Sequence, residues 1–136
     1  MISVDPKFEF VYNSCIVTNK EQKLNYTKEQ IVAIVAEAKT EARTAANKFF
    51  QERLGGRDQY SCGFAWVDIF GIKGNTKLGR VMKDAGLRKS YTGSFQIWNP
   101  AEMPVQNVDT LEAGAEAAAR VFERYGFTAY AGSRLD

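Results

Sequence analysis

The sequence contains no histidine, and this absence removes several classes of catalytic mechanism. Imidazole is the usual base that activates a serine or cysteine nucleophile, and it is a common ligand of zinc and iron. The two cysteines, Cys15 and Cys62, are too few for a structural zinc site, and no group of acidic residues has the spacing of metal ligands. We therefore expect no metal and no cofactor.

Long apolar runs are also missing from the chain. No stretch approaches the roughly 18 to 20 apolar residues needed to span a bilayer, so we expect no contact with a membrane. The first residues, Met1 to Pro6, lack a charged segment followed by an apolar one, which makes a cytoplasmic location the default expectation. Both cysteines lie in apolar, strand-like segments, and this favours two buried thiols in a reducing compartment over a disulfide or redox pair.

The remaining composition is that of an ordinary globular protein. Of 136 residues, 45% are hydrophobic and 25% are charged. A chain of this length buries roughly two-thirds of its unfolded surface in a single core, so we expect one domain over residues 1–136. The net charge of +2 is too small to indicate a partner, but the charges are unevenly distributed.

The N-terminal part, residues 1–56, predicts a hairpin followed by one long helix. Alternating apolar residues from Phe8 to Thr18 and a short return strand from Lys23 to Tyr26 predict the hairpin. Thr27-Lys-Glu-Gln30 matches a capping box, and the pair Gly55-Gly56 predicts that the helix ends at about Leu54.

Small and apolar residues recur along this helix at spacings of four and three, as in a coiled-coil heptad. They are Ile31, Val35, Ala38, Ala42, Ala45 and Phe49. This seam either packs on the protein's own sheet or contacts a second copy of the chain. Because a helix of about 27 residues is roughly 40 Å long, more than a domain of this size needs, we expect a homodimer or higher oligomer through the seam.

The longest apolar segment, from Cys62 to Ile72, predicts the central strand of the sheet. Its alternate residues are apolar on both faces, so we expect cover above and below it. Asp68 is the exception, because an unpaired carboxylate is costly to bury beside Trp66 and Phe70. Either the strand leaves the core there, or Asp68 pairs with a basic residue, or it contacts a ligand or acts in catalysis.

Residues 57–136 predict a βαβαβ-like pattern. After the central strand and a short basic helix, we expect a strand from Ser94 to Trp98, a helix from Leu111 to Tyr125 and a last strand from Phe127 to Tyr130. The predicted fold is α+β, with a twisted mixed or antiparallel sheet of four to five strands, one long N-terminal helix and two shorter helices.

The candidate site is the glycine-containing loop from Gly71 to Gly79, which joins the central strand to the basic helix. At such a junction, free backbone amides and the helix dipole attract phosphate or carboxylate. The loop matches neither the Walker pattern nor Gly-x-Gly-x-x-Gly. The loop residues expected to bind an anion are Gly74, Asn75, Thr76 and Lys77.

Positive charge and aromatic residues surround this loop in the sequence. Between residues 73 and 89, basic residues outnumber acidic ones six to one. Lys77 and Arg80 lie on the outer side of the predicted helix, which is either a solvated basic surface or part of an anion site. Tyr91 and Trp98 follow closely and can stack on a base, which favours a nucleotide or nucleic-acid ligand.

The last helix carries two arginines one turn apart, Arg120 and Arg124. Glu116 precedes Arg120 by four residues, so a simple intrahelical ion pair is one interpretation. In the other, arginines of one subunit complete the Gly71–Gly79 loop of another subunit and neutralise a phosphate.

The C-terminal half ends in Gly-Phe-Thr-Ala-Tyr-Ala-Gly-Ser-Arg-Leu-Asp136. Together with the size of the chain and its lack of histidine, this pattern resembles the small accessory proteins carried by bacteriophages. The resemblance assigns no functional residue.

These patterns predict a non-enzymatic binding protein for an anionic ligand, namely a nucleotide, a nucleotide-derived signal or a nucleic-acid backbone. The alternative is a protein-interaction or inhibitor protein that acts through the long helix. A third and less favoured hypothesis is a small hydrolase or transferase in which Asp68 works with a lysine or arginine.

Overall fold

A computed structural model describes residues 24–136, which form three helices and one four-stranded sheet. The elements in chain order are α1 (Lys28–Leu54), β1 (Gly63–Phe70), α2 (Lys77–Asp84), β2 (Arg88–Lys89), β3 (Phe95–Trp98), α3 (Val108–Arg124) and β4 (Thr128–Leu135). The predicted α+β class and the long first helix are confirmed. The strand predicted over Phe8–Thr18, with Cys15, lies outside the described residues.

The sheet has the order β2-β3-β1-β4, and all neighbouring strands are antiparallel. Strand β1 is central, as predicted, and it pairs with β4 over its whole length, from Gly63 opposite Leu135 to Phe70 opposite Thr128. The succession β1-α2-β2-β3-α3-β4 in this strand order is the split βαβ arrangement, also called ferredoxin-like.

Both long helices lie on the same side of the sheet. Helix α3 packs on β1 and β4, and α1 packs on the outside of α3. The core between α3 and the sheet contains fully buried side chains such as Val67, Ile69, Phe95 and Phe122. An antiparallel sheet can be covered on one face only, and no described helix or strand covers the other face.

Within residues 24–136, the prediction that both faces of β1 are covered is therefore not confirmed. Ala65, Val67 and Ile69 are buried, whereas Phe64 and Phe70 on the opposite face are 39% and 40% exposed. The reason is that the two long helices stack on one another instead of taking one face each. The prediction of a buried thiol is wrong for Cys62, which lies just before β1 and is exposed.

Helix α1 begins and ends as predicted. The hydroxyl of Thr27 accepts a hydrogen bond from the amide of Gln30, and the side chain of Gln30 accepts one from the amide of Thr27. At the other end Gly55 has a φ of 62°, the left-handed conformation that glycine adopts easily. Residues 24–27 form no strand, and Tyr26 instead stacks on Phe127.

The seam of α1 packs inside the chain, against α3. Ile31, Ala38 and Ala42 are fully buried. A Cβ on Gly114 of α3 would lie only 3.2 Å from the carbonyl oxygen of Ala42, so the two helices approach closely at their small residues. The seam residues Val35, Ala45 and Phe49 are half-buried. The interpretation of this seam as a contact with a second copy stays a prediction, and its central side chains are already covered by α3.

Two boundaries in the C-terminal half differ from the prediction. Helix α3 begins at Val108, before Leu111, because the buried side chain of Asn107 caps it by accepting hydrogen bonds from the amide and hydroxyl of Thr110, both at 2.8 Å. Strand β4 continues beyond Tyr130 to Leu135, since its backbone pairs with the first half of β1.

Candidate functional site

The open face of the sheet carries a row of aromatic side chains. Paired residues of neighbouring strands project on the same face, and so do alternate residues of one strand. The five aromatic residues on this face, which we call the aromatic platform, are Phe64, Trp66 and Phe70 of β1, Trp98 of β3 and Tyr130 of β4. Trp98 is 39% exposed and Tyr130 is 60% exposed, so the rings are available to a ligand.

The rings of the platform contact one another. Trp66 and Trp98 lie opposite each other on β1 and β3, and their rings stack with centroids 4.7 Å apart and planes 25° apart. Phe64 lies 6.2 Å from Trp98, and Phe70 lies 5.9 Å from Tyr130. The rings thus form two groups, one of Phe64, Trp66 and Trp98 and one of Phe70 and Tyr130, with Asp68 between them on β1.

A glycine on the edge strand makes room for this indole pair. Gly132 of β4 lies opposite Trp66. A Cβ at Gly132 would lie 2.5 to 2.8 Å from three atoms of the Trp66 indole, which is closer than real atoms approach. The glycine is therefore needed for space, because the indole ring lies where a side chain would project.

Polar side chains beside the rings fix the orientation of both indoles. The carboxylate of Asp68 accepts hydrogen bonds from Trp66 Nε1, Ser94 Oγ and Gln96 Nε2, each at 2.8 Å. Trp98 Nε1 donates to Gln96 Oε1 at 2.9 Å. Asp68 thus pairs with neutral donors and not with a basic residue. Both indole N–H groups are engaged, so the platform is ordered before any ligand arrives.

Arginines lie at two margins of the platform. Arg134 of β4 lies opposite Phe64, with its guanidinium 5.3 Å from the centre of that ring. Arg88 of β2 lies opposite Gln96, and both arginines are exposed. The face therefore has positive charge at its edges and the negative charge of Asp68 near its middle, which favours a phosphate at the edges over one at the centre.

The loop predicted to bind an anion is closed by hydrogen bonds of its own. Thr76 caps α2, because its hydroxyl accepts from the amide of Gly79 at 3.0 Å and donates to the carbonyl of Lys73 at 2.6 Å. Arg80 Nη1 donates to the carbonyl of Asn75 at 2.9 Å. A Cβ on Gly79 would lie against the backbone of Lys73 and Gly74, which explains the tight packing of the loop on the helix start.

The structure brings only some of the predicted site residues together. Gly74, Asn75, Thr76, Lys77 and Arg80 lie in one loop and the start of α2. Their arrangement leaves Lys77 and Arg80 exposed at the end of the sheet where β1 stops.

The two predicted stacking residues are separated. Trp98 belongs to the aromatic platform, whereas Tyr91 is fully exposed in the turn between β2 and β3. Among the described residues, no ring contact links Tyr91 to another aromatic side chain.

Arg120 and Arg124 lie on α3, which covers the sheet face opposite the platform. Arg124 Nη2 bonds Glu37 of α1 at 2.8 Å, and Arg120 is exposed. Within one chain, these two arginines therefore lie apart from the platform, and their predicted role at another subunit's loop stays a prediction.

Glu37 joins α1 to α3 through both Arg124 and Tyr125. Burial raises the pKa of Glu37, but hydrogen bonds from Tyr125 and Arg124 and the charge of Arg124 outweigh it, so the pKa lies below its ordinary value. The hydrogen bond to Glu37, followed by burial, raises the pKa of Tyr125 to about 12. This group is a structural link between the helices.

A cavity of about 370 Å³ lies at one end of the platform. Phe64 and Trp98 line it on the platform side, and residues 103–106 line it on the other. Asn99 at its edge has a left-handed backbone with a φ of 45°, and its buried Oδ1 has no hydrogen-bond partner within the described part of the chain.

Sequence reasoning assigned Phe64, Trp66 and Phe70 to the core and gave no role to Gly132 or Arg134. Asp68 in the middle of this face was the signal for an open face, because a carboxylate with three aromatic neighbours is unusual inside a core, and one interpretation of it was that the strand leaves the core there. Gly132 and Arg134 had no signal of this kind, since their place on the open face follows from the pairing of β4 with β1.

No protein-family model matches the chain, and neither a curated protein nor a solved structure matches it. Residues 24–136 contain no group of three or more side chains that could hold a metal ion. In the same range, no helix is long and apolar enough to cross a membrane.

Proposed function

We propose that the protein binds single-stranded nucleic acid on the aromatic platform and catalyses no reaction. The observation that carries this proposal is the ordered pair of half-buried Trp66 and exposed Trp98 at the centre of an open sheet face. Bases stack on aromatic side chains whatever their sequence, and each stacked base contributes about 1–3 kcal/mol. Some RNA-binding modules use aromatic residues on the central strands of a four-stranded sheet in this way, which supports the proposal by analogy only.

The positive charges of the surface fit this ligand. In the proposed complex, the bases lie over the indole pair while phosphates lie near Arg88 and Arg134 at the margins of the platform. Lys77 and Arg80 supply further positive charge where β1 ends. In the proposed complex, these two predicted anion-binding residues lie along the phosphate backbone of the bound strand. Asp68 positions the rings and has no catalytic role in this proposal.

The first test measures binding of fluorescently labelled RNA and DNA oligonucleotides of about ten nucleotides by anisotropy. Wild-type protein is expected to bind single strands better than a duplex of the same sequence, with affinity that falls as salt rises. Trp98→Ala is expected to weaken binding roughly tenfold or more, because one stacking surface is lost.

Tyr91→Ala is the matched control for this test, since it removes an exposed aromatic ring that lies off the platform. It is expected to bind like the wild type. The proposal fails if no single strand binds with salt-dependent affinity, or if Trp98→Ala binds as well as the wild type.

A second copy of the chain is the competing occupant of the platform. The observation in its favour is the exposure of Phe70 and Tyr130 beside the indole pair, because clustered exposed apolar rings are typical of protein interfaces. Such a dimer would form with rising protein concentration, would persist at high salt and would be lost in Trp98→Ala. Sedimentation at two salt concentrations distinguishes it from a nucleic-acid surface.

A further inference from the structure

We infer that Asp68 and Gln96 make the platform selective for bases that carry an exocyclic amino group, with cytosine bound more tightly than uracil. This inference rests on the proposed function and deepens it, because it names the bases and the protein groups that distinguish them. It starts from the hydrogen-bonding capacity that the network around the indole pair leaves unused.

The carboxylate of Asp68 has one acceptor position left. An ionised carboxylate offers about four lone-pair positions. Ser94 and Gln96 both donate to Oδ1, and Trp66 donates to Oδ2. The remaining position is on Oδ2, and it can accept a hydrogen bond from a ligand.

The amide of Gln96 has one donor and one acceptor position left. Its nitrogen carries two hydrogens, of which one is donated to Asp68, and its oxygen accepts one bond, from Trp98, although it can accept two. Asp68 and Gln96 are paired across β1 and β3, and both are only half-buried. Together they present polar groups of fixed orientation to the open face.

These polar groups lie within reach of a base stacked on the indoles. The Asp68 and Gln96 pair lies two residues along the strands from the Trp66 and Trp98 pair, a step of roughly 7 Å. The indole N–H groups bond this polar pair directly, so the rings lean towards it. A base stacked on the exposed side of the indole pair therefore has one edge over Asp68 and Gln96.

The chemistry of this edge separates cytosine from uracil. Cytosine has an amino donor at the position where uracil and thymine have a carbonyl acceptor, and carboxylates accept from that amino group. A carbonyl oxygen placed against Asp68 would meet a negative charge, and only the unused N–H of Gln96 could donate to it. Adenine has an amino donor beside a ring acceptor, which matches the unused positions of Gln96. Cytosine and uracil are the sharper comparison, because both are single rings of similar size.

The experiment compares labelled oligonucleotides of eight cytidines and eight uridines at one pH and one salt concentration. Wild-type protein is expected to prefer the cytidine strand about tenfold, which is the scale of a well-placed contact to a base edge. Asp68→Asn is expected to bring this ratio close to one, because a donor hydrogen replaces an acceptor. The ratio of the two affinities is the readout, since indole rings that lost their fixed orientation would weaken the binding of both strands equally.

Ser94→Ala is the matched control, because it removes one donor to Asp68 and keeps the carboxylate. It is expected to keep the preference for cytidine. If the wild type binds both strands equally while Trp98→Ala weakens both, the inference is wrong and the proposed function stands. If Asp68→Asn weakens the binding of both strands and keeps the ratio of their affinities, Asp68 only positions the rings and the inference is wrong. If neither strand binds with salt-dependent affinity, the inference and the proposed function both fail.

Discussion

The two faces of β1 are both largely apolar in sequence, yet they differ in the shape of their side chains and in what covers them. The covered face has Ala65, Val67 and Ile69, which are small or branched and fill a core against α3. The open face has Phe64, Trp66 and Phe70, whose rings remain partly exposed beside a hydrogen-bonded carboxylate. The comparison shows that apolar residues alone do not identify the face of a strand that lies in the core. Aromatic rings combined with a network of polar side chains instead indicate a binding surface.

This difference separates stability from function. Side chains on the covered face contribute to the free energy of unfolding through buried area and packing. Side chains on the open face remain partly in contact with water in the folded protein. Their removal should therefore affect ligand binding more than folding.

The largest expected effect is on stability, from Ile69→Ala. Ile69 is fully buried, and truncating such a side chain costs about 2–5 kcal/mol. The adjacent change Phe70→Ala, on the open face, is the matched control and is expected to cost clearly less. Urea denaturation of both variants measures the two free energies of unfolding. Equal losses would contradict the difference between the two faces.

The second prediction concerns Gly132→Val, which places a side chain where the Trp66 indole lies. We expect displacement of the indole pair, roughly tenfold weaker binding of single strands, and an overpacking cost of about 1–3 kcal/mol. Thr128→Val, an exposed change on the same face of β4, is the control and should change neither quantity. Unchanged tryptophan emission in Gly132→Val would show that the indole does not depend on this glycine.

The third prediction concerns the link between α1 and α3. Because the pKa of Glu37 is lowered in the folded protein, its contribution to stability is present above its unfolded value of about 4.5 and is lost as pH falls through the lower folded value. The pKa of Tyr125 is raised to about 12, so its contribution is present below about 10 and is lost as pH rises through 12.

Glu37→Gln therefore tests the loss of stability at low pH. We expect it to lower the stability at pH 7 by about 1 kcal/mol or less, because the pair is partly exposed, and to make little difference at pH 3. Thermal melting of the wild type and the variant at both pH values measures this. A difference that is the same at pH 3 and pH 7 would contradict the assignment.

The smallest expected effect is that of Arg134→Gln on the salt dependence of binding. Loss of one phosphate contact should reduce the slope of log affinity against log salt by roughly 0.7 for a single strand. Arg120→Gln removes a charge on the opposite side of the molecule and should leave the slope unchanged. An equal reduction in both variants would favour a role for the α3 arginines, as in the composite site that the sequence suggests.

Local signals in the sequence determined which parts of the fold were predictable. The ends of α1 follow from Thr27 and Gly55, which act through their immediate neighbours. The start of α3 was missed because Asn107 is held in place by residues far away in the chain, including Gln59. The second half of β4 was missed because Gly-Ser-Arg has no strand pattern and is ordered by its pairing with β1.

The candidate site was predictable only in part, because its location depends on topology. Trp98 was expected to stack on a base, and this stays a prediction. Its partner Trp66 was assigned to the core, since the sequence does not show that both long helices stack on the same side of the sheet. The network from Asp68 to Gln96 joins two strands that are separated by α2 and β2, so no local pattern predicts it.

The most direct test of the proposed surface uses the intrinsic fluorescence of the protein. The chain has two tryptophans, Trp66 and Trp98, and both belong to the aromatic platform. Titration with an unlabelled single-stranded oligonucleotide at low salt is expected to quench this emission with a saturable curve, and a matched duplex or inorganic phosphate should quench it much less. Emission that does not change on addition of any single strand would contradict the central claim that this face binds nucleic acid.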